Sequence, residues 1–208
     1  MIASFANIFA IRLYGKNAAL NFANESGKLF INDGEAVDVM EGAGTIGYEI
    51  ATQLEGIDLL LVPLGGGNLS GGCVTAMKAI QPKAKVISVQ AKGSPAVTES
   101  FHAGKALERP INTIADGLVT RVPPQLAMSV LWRLLDDAWL VSDELLLAAT
   151  HSLITSAHVL VEPAGAASLA GACLHKELIQ GKRVVFILTG ANISSELLRC
   201  ALSTEPII

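Results

Sequence analysis

The sequence is short of charge and of aromatic rings. Of 208 residues, 16 % are Asp, Glu, Lys or Arg and 5 % are Phe, Trp or Tyr, against 51 % hydrophobic residues. A disordered chain needs the reverse balance, so disorder is excluded. The 19 glycines and 8 prolines fall as punctuation without a period, which excludes collagen-like and low-complexity chains. No apolar stretch reaches the roughly 18–20 residues that a spanning helix needs. The apolar start, Met1 to Ile11, is interrupted by Ser4 and Asn7 and closed by Arg12. Without a basic leader it does not read as a secretory signal, and a cytoplasmic location is expected. Basic clusters are missing too. Fifteen Lys and Arg lie scattered among nineteen Asp and Glu, so neither nucleic acid nor a membrane is an expected partner. Cys73, Cys173 and Cys200 lie far apart with no CxxC spacing and read as small buried hydrophobes in a reducing compartment. His102, His151, His158 and His175 have no ligand spacing, and no metal centre is expected.

What is present is an alternation of strand, turn and helix. Strands are predicted at Ala10–Tyr14, Leu29–Ile31, Ile57–Leu64, Lys85–Val89, Ala138–Val141 and Val184–Leu188. Ile57–Leu64 is read as a continuous apolar run, as expected of a strand buried on both faces of a parallel sheet, and Lys85–Val89 and Val184–Leu188 are read as a second and a third buried strand. Helices are predicted at Ala18–Ser26, Thr45–Leu54, Leu69–Ile80, Ser94–Ala103, Pro124–Asp136, Glu144–His151 (capped by Ser142) and Pro163–Gln180. The fold class is therefore α/β with a mostly parallel open sheet and flanking helices.

The most informative stretch is Gly65-Gly66-Gly67-Asn68-Leu69-Ser70-Gly71, which follows an apolar run and opens a helix. Glycines let an anion approach the backbone, and the free N–H groups of a helix start favour a phosphate. An ordinary strand-to-helix turn is the plainer alternative. A P-loop is excluded, because no Lys-Ser/Thr follows at the required spacing. A dinucleotide site lacks its third glycine, and the next strand ends at Gln90 where a ribose-binding acid is wanted. What remains is a lone phosphate on a compact cofactor, with pyridoxal phosphate first and a sugar phosphate second. Thr189 ends the Val184–Leu188 run, on the edge of an open sheet where ligands collect. Its hydroxyl suits a pyridine nitrogen, though a simple strand cap explains it equally. Glu162 ends another apolar segment at a helix start, where it is either a cap or a site carboxylate.

Seven segments in order carry a resemblance. They are Gly42-Ala43-Gly44-Thr45-Ile46-Gly47, Val62-Pro63-Leu64-Gly65-Gly66-Gly67-Asn68, Gly93-Ser94-Pro95-Ala96, Thr113-Ile114-Ala115-Asp116-Gly117, Val141-Ser142-Asp143-Glu144, Glu162-Pro163-Ala164-Gly165-Ala166 and Leu188-Thr189-Gly190-Ala191-Asn192. Together they resemble the threonine/serine dehydratases and serine racemases, the fold-type II pyridoxal-phosphate enzymes. The resemblance implies a tryptophan-synthase-β-like fold whose N-terminal part is missing. Residues 1–40 would be the remnant of a small domain, and 41–208 the large domain that binds the cofactor phosphate. It implies that Gly65, Gly66, Gly67, Asn68 and Leu69 bind the phosphate of pyridoxal 5'-phosphate. Thr189 would face the ring nitrogen, and Glu162 would line the active site.

The departures carry their own expectations. The family's Schiff-base lysine stands in a Ser-Phe-Lys context and its asparagine loop reads Ser-x-Gly-Asn-His; neither occurs here. No catalytic residue is assigned, and the chain is expected to be a fragment that is inactive alone. Asn68 replaces a fourth glycine and Ala43 a usual Gln. The two metal-binding acids of racemase-like members correspond to Gln90 and Ala96, so no metal is expected. The implied activity belongs to amino-acid metabolism: a lyase removes ammonia from L-threonine or L-serine and leaves a 2-oxo acid. Alternatives are a non-catalytic relative that binds a phosphate ligand, a partner chain of a split enzyme, and serine racemase-like activity. Low charge beside surplus apolar surface leads to the expectation of a homo-oligomer.

Overall fold

Four of the predicted strands become one sheet: β1 (Leu59–Pro63), β2 (Lys85–Ala91), β3 (Asp137–Val141) and β4 (Val184–Phe186). The order is β3-β2-β1-β4 and every pairing is parallel. This computed structural model describes residues 12–208, without the side chains of residues 12–14 and 16. They belong to two compact units, Met1–Asn32 and Asp33–Ile208. The helices are α1 (Arg12–Ser26), α2 (Val37–Gln53), α3 (Asn68–Ile80), α4 (Ala96–Ala103), α5 (Gln125–Leu134), α6 (Asp143–Ser156), α7 (Ala167–Leu174), α8 (Lys176–Ile179) and α9 (Ser195–Leu202).

Strand alternation sorts the core into two layers. Leu59, Leu61, Ile87, Val89, Trp139 and Val141 pack with Leu146 and Ala149 of α6 and Ala167 and Ala170 of α7. Leu60, Val62, Val86 and Ala138 pack on the other face with Cys73 and Met77 of α3 and Met128 and Leu131 of α5. Helices on both faces explain why β1 is apolar throughout and why β2 is buried from Val86 to Ala91. The Ser168 hydroxyl of α7 donates to the Leu61 carbonyl at 2.9 Å, which pins the helix across the sheet.

Several expectations are corrected. Arg12–Tyr14 is not strand but the first turn of α1; Ala10 and Ile11 lie outside the described residues. Gly15 costs only about 1 kcal/mol inside a helix, and good formers follow it. The helix ends where Gly27 takes φ +65° and the Lys28 N–H donates to the Ala23 carbonyl at 3.0 Å. Leu29–Ile31 pairs with no strand among the described residues, and three apolar residues without a partner do not make one. α2 starts at Val37, eight residues before the predicted Thr45, and runs through Gly42 and Gly44. Close packing overrides the poor helix propensity of glycine here: a Cβ on Gly47 would stand 2.7 Å from the Cys73 Cα, and one on Gly72 would stand 2.5 Å from the Gly44 nitrogen. The predicted Pro163–Gln180 helix is α7 and α8, broken at His175, whose ring lies 4.0 Å from that of Trp139. β4 is half-exposed instead of buried, because it is the edge strand. Cys73 is buried, and burial pushes its thiol up to about 11, but Cys200 is exposed on α9.

No helix among the described residues is long and apolar enough to cross a membrane.

Candidate active site

The site is assembled where β1 and β4 end. In a parallel sheet all carboxyl ends share one edge, so the loops after β1 and β4 meet without further device. The loop after β1 turns sharply into α3. Gly67 holds φ +103° at the helix start, where its absent Cβ would lie 2.9 Å from that of Ala127. Gly65 is needed for close approach: a Cβ there would meet the Gly117 carbonyl oxygen at 2.8 Å. The first amide of α3 bonded to the helix backbone is that of Gly71, which donates to Gly67 at 2.7 Å. The N–H groups of Asn68, Leu69 and Ser70 are thus the free donors of a helix start. No side chain caps the helix. The Ser70 hydroxyl turns back to the Pro63 carbonyl at 3.3 Å, and the buried Asn68 Oδ1 has no protein partner.

The opposite wall comes from the loops around Thr189 and Glu162. The Glu162 N–H donates to the Gly190 carbonyl at 2.9 Å, which ties the two loops together. Glu162 Oε1 is pressed against Gly190, where a Cβ would collide with it. On the other side, a Cβ on Gly117 would lie 3.3 Å from the same oxygen. The carboxylate is therefore placed by two glycines that leave it room.

Between these walls lies a cavity of about 210 Å³. Gly65, Gly66, Gly67, Asn68, Leu69, Glu162 and Thr189 all line it, so the structure brings together every site residue expected from the sequence. Asp33, Gly34, Gly117, Leu118 and Ala164 line it as well. In the sequence, Asp33-Gly34 is legible only as a turn. Its place is set by Pro124, which lies so close that a Cβ on Gly34 would stand 2.7 Å from the proline Cγ. Among the described residues, the charged members of the lining are Asp33 and Glu162, and none is a lysine or arginine.

These residues fit the phosphate part of a cofactor. Three free amides at a helix start and glycines that clear the approach make an anion cradle that needs no basic side chain. The Gln90 and Ala96 positions are closed. Gln90 and Ala96 are both buried, and the Gln90 Oε1 accepts from the Thr98 N–H at 2.9 Å. Among the described residues no group of three His, Cys, Asp or Glu is placed to hold a metal ion.

Comparison with known proteins gives a consistent result. Residues 8–190 match the family described as "Pyridoxal-phosphate dependent enzyme". L-threonine ammonia-lyase of Thermotoga maritima is 34 % identical over 178 residues, which is 85 % of this chain and 44 % of that protein. The catabolic L-threonine dehydratase of Escherichia coli is 36 % identical over 170 residues, 80 % of this chain and 52 % of that protein. Among solved structures, processed threonine deaminase isoform 2 of Solanum lycopersicum superposes with TM-score 0.85 at 30 % identity, covering 89 % of this chain and 55 % of that one. Maize serine racemase superposes with TM-score 0.82 at 30 % identity, covering 90 % and 59 %. The chain spans about half the length of the curated relatives it matches. On its sequence and its parallel sheet alike, the chain belongs to the family of pyridoxal-phosphate dependent enzymes.

Proposed function

We propose that this chain forms the phosphate-binding and ring-nitrogen side of a threonine/serine dehydratase, a lyase that converts L-threonine or L-serine to a 2-oxo acid and ammonia. The observation that carries the proposal is the convergence of the glycine loop, Thr189 and Glu162 on one cavity. The N–H groups from Gly65 to Leu69 hold the phosphate and orient the cofactor. The Thr189 hydroxyl bonds the pyridine nitrogen without fixing a full charge on it, which suits loss of a β-hydroxyl better than racemisation. Glu162 lines the substrate side. Pyridoxal phosphate, when bound, supplies the electron sink that acidifies the α-proton of the amino acid.

The base for that proton is not among these residues. No lysine of the chain stands in a Ser-Phe-Lys context, and none among the described residues lines the cavity. The proposal therefore assigns this chain no turnover on its own; residues 1–40 are the remnant of a small domain. The buried Gln90 and Ala96 favour dehydratase over a metal-binding racemase. A cytoplasmic homo-oligomer completes the proposal. The exposed Val37 and Tyr48, on an apolar groove beside α2 and α3, support the assembly.

The test titrates the isolated chain with pyridoxal phosphate, followed by its absorbance, and assays 2-oxobutyrate from L-threonine. Expected are reversible binding that inorganic phosphate competes away and no 2-oxobutyrate. Turnover by the chain alone overturns the missing-base argument. If the cofactor fails to bind while a sugar phosphate binds, the non-catalytic reading replaces the lyase.

A further inference from the structure

One stretch of the cavity wall has neither a strand ladder nor a long helix to fix it. Between α4 and a single 3-10 turn at Asp116–Leu118, residues 104–115 form neither helix nor strand. Yet that turn carries Gly117 and Leu118 into the cavity lining. The Gly117 carbonyl oxygen lies over Gly65, 2.8 Å from where a Cβ would stand there. On its other side, a Cβ on Gly117 would lie 3.3 Å from Glu162 Oε1. The turn is thus wedged between the glycine loop and Glu162.

What holds the turn comes from the loops after other strands. Upstream, the Asn112 N–H donates to the Gly93 carbonyl, after β2, at 2.7 Å. Downstream, the Thr120 N–H donates to the buried Ser94 hydroxyl at 2.9 Å. Between them stands Asp143, the first residue of α6. Its Oδ1 accepts from the Thr113 hydroxyl at 2.5 Å and its Oδ2 from the Ile114 N–H at 3.0 Å. The Thr113 oxygen accepts in turn from the Ala115 N–H at 3.2 Å, and the Ala115 carbonyl accepts from the Leu118 N–H at 3.0 Å. A chain of bonds therefore runs from Asp143 to the turn that bears Gly117. α6 does not need this carboxylate as its cap, because the Ser142 hydroxyl accepts from the Leu145 N–H at 3.3 Å. Hydrogen bonds to an ionised carboxylate are also stronger than those between neutral groups.

We infer that Asp143 is a positioning residue of the candidate site, acting through Thr113. Asp143 is not among the described residues that line the cavity. Its carboxylate latches Thr113 and Ile114, Thr113 holds the start of the turn, and the turn seats Gly117 between Gly65 and Glu162. Release of the latch leaves the sheet and both core layers in place but frees the turn, so the phosphate cradle and Glu162 lose their fixed separation. The effect on binding rests on the proposed cofactor site; the latch itself does not.

The experiment measures the affinity of the full 208-residue chain for pyridoxal phosphate by absorbance, well below the melting temperature of every variant. Asp143→Ala and Thr113→Val should each weaken binding by about tenfold, the worth of one charge-assisted hydrogen bond. Thr113→Ser keeps the hydroxyl and should restore it. The double variant should bind no more weakly than Asp143→Ala, because both changes break one chain of bonds. The Leu118 N–H reports the turn directly: its amide exchange should quicken by about tenfold in Thr113→Val, with exchange in α6 and β1 unchanged. A fall in melting temperature without a change in affinity shows a purely structural bond and overturns the inference. So do additive losses, or a loss that Thr113→Ser does not restore. If the unaltered chain binds no pyridoxal phosphate, the cofactor reading has failed instead. The latch is then decided by the Leu118 exchange, and an unchanged rate overturns it.

Discussion

β1 and β4 lie side by side in register, Leu59 with Val184, Leu60 with Val185 and Leu61 with Phe186. Their side chains are equally apolar, yet their surroundings are opposite. Leu60 and Leu61 are fully buried under helices on both faces, whereas Phe186 stands 37 % exposed. Adjacent strands of like composition thus differ in energy because one has neighbours on every side and the other is the last strand of the sheet among the described residues. The glycine loop grows out of the first and Thr189 out of the second, so the candidate site joins the firmest strand to the least supported one.

The comparison breaks most visibly at Leu61. Leu61→Ala leaves a cavity that helices on both faces cannot fill, and should cost about 4 kcal/mol in chemical denaturation. The second effect tests the glycine crossing that seats α3 behind β1. Gly72→Ala drives a methyl into the backbone of Met40 and Gly44, and about 3 kcal/mol of stability should be lost, read as a lowered melting temperature. The third compares thiols. Burial raises the Cys73 thiol to about 11, so at neutral pH it is protonated. Its thiolate is then about a hundredfold scarcer than that of an ordinary thiol. Iodoacetamide should label the exposed Cys200 first, with Cys73 reacting only as pH climbs towards 11; prompt labelling of Cys73 at neutral pH would show that the β1 core opens. The smallest effect lies on β4. Phe186→Ala should cost no more than about 1 kcal/mol in the chain alone, because much of the ring is already in water. A loss as large as that for Leu61→Ala would erase the contrast.

Much of the site was legible because it is local. Gly65-Gly66-Gly67 after an apolar run is a turn that brings backbone donors to one point, and all of that information lies within a few residues. Thr189 was legible by its place at the end of another run. Asp33 was not: its position depends on Pro124, far along the chain, and no local pattern records that approach. The same holds for Gly117, which reaches the cavity through contact with Gly65 and Glu162. The early strand at Arg12–Tyr14 failed for the opposite reason. A short apolar stretch suits either period, and only the helical residues after Gly15 decided it.

By itself the sequence determined which segments are apolar enough to be strands, where glycine lets the chain turn, and that the turn after β1 opens a helix with free backbone donors. Those properties follow from side-chain transfer energies and allowed dihedral angles, which belong to residues one at a time. The tertiary structure alone decided that β4 is an edge and β1 a centre, that α2 runs through its glycines, and that Asp33 and Glu162 face the same cavity. Each of these depends on which distant segment occupies the neighbouring space, and burial is a property of that neighbourhood.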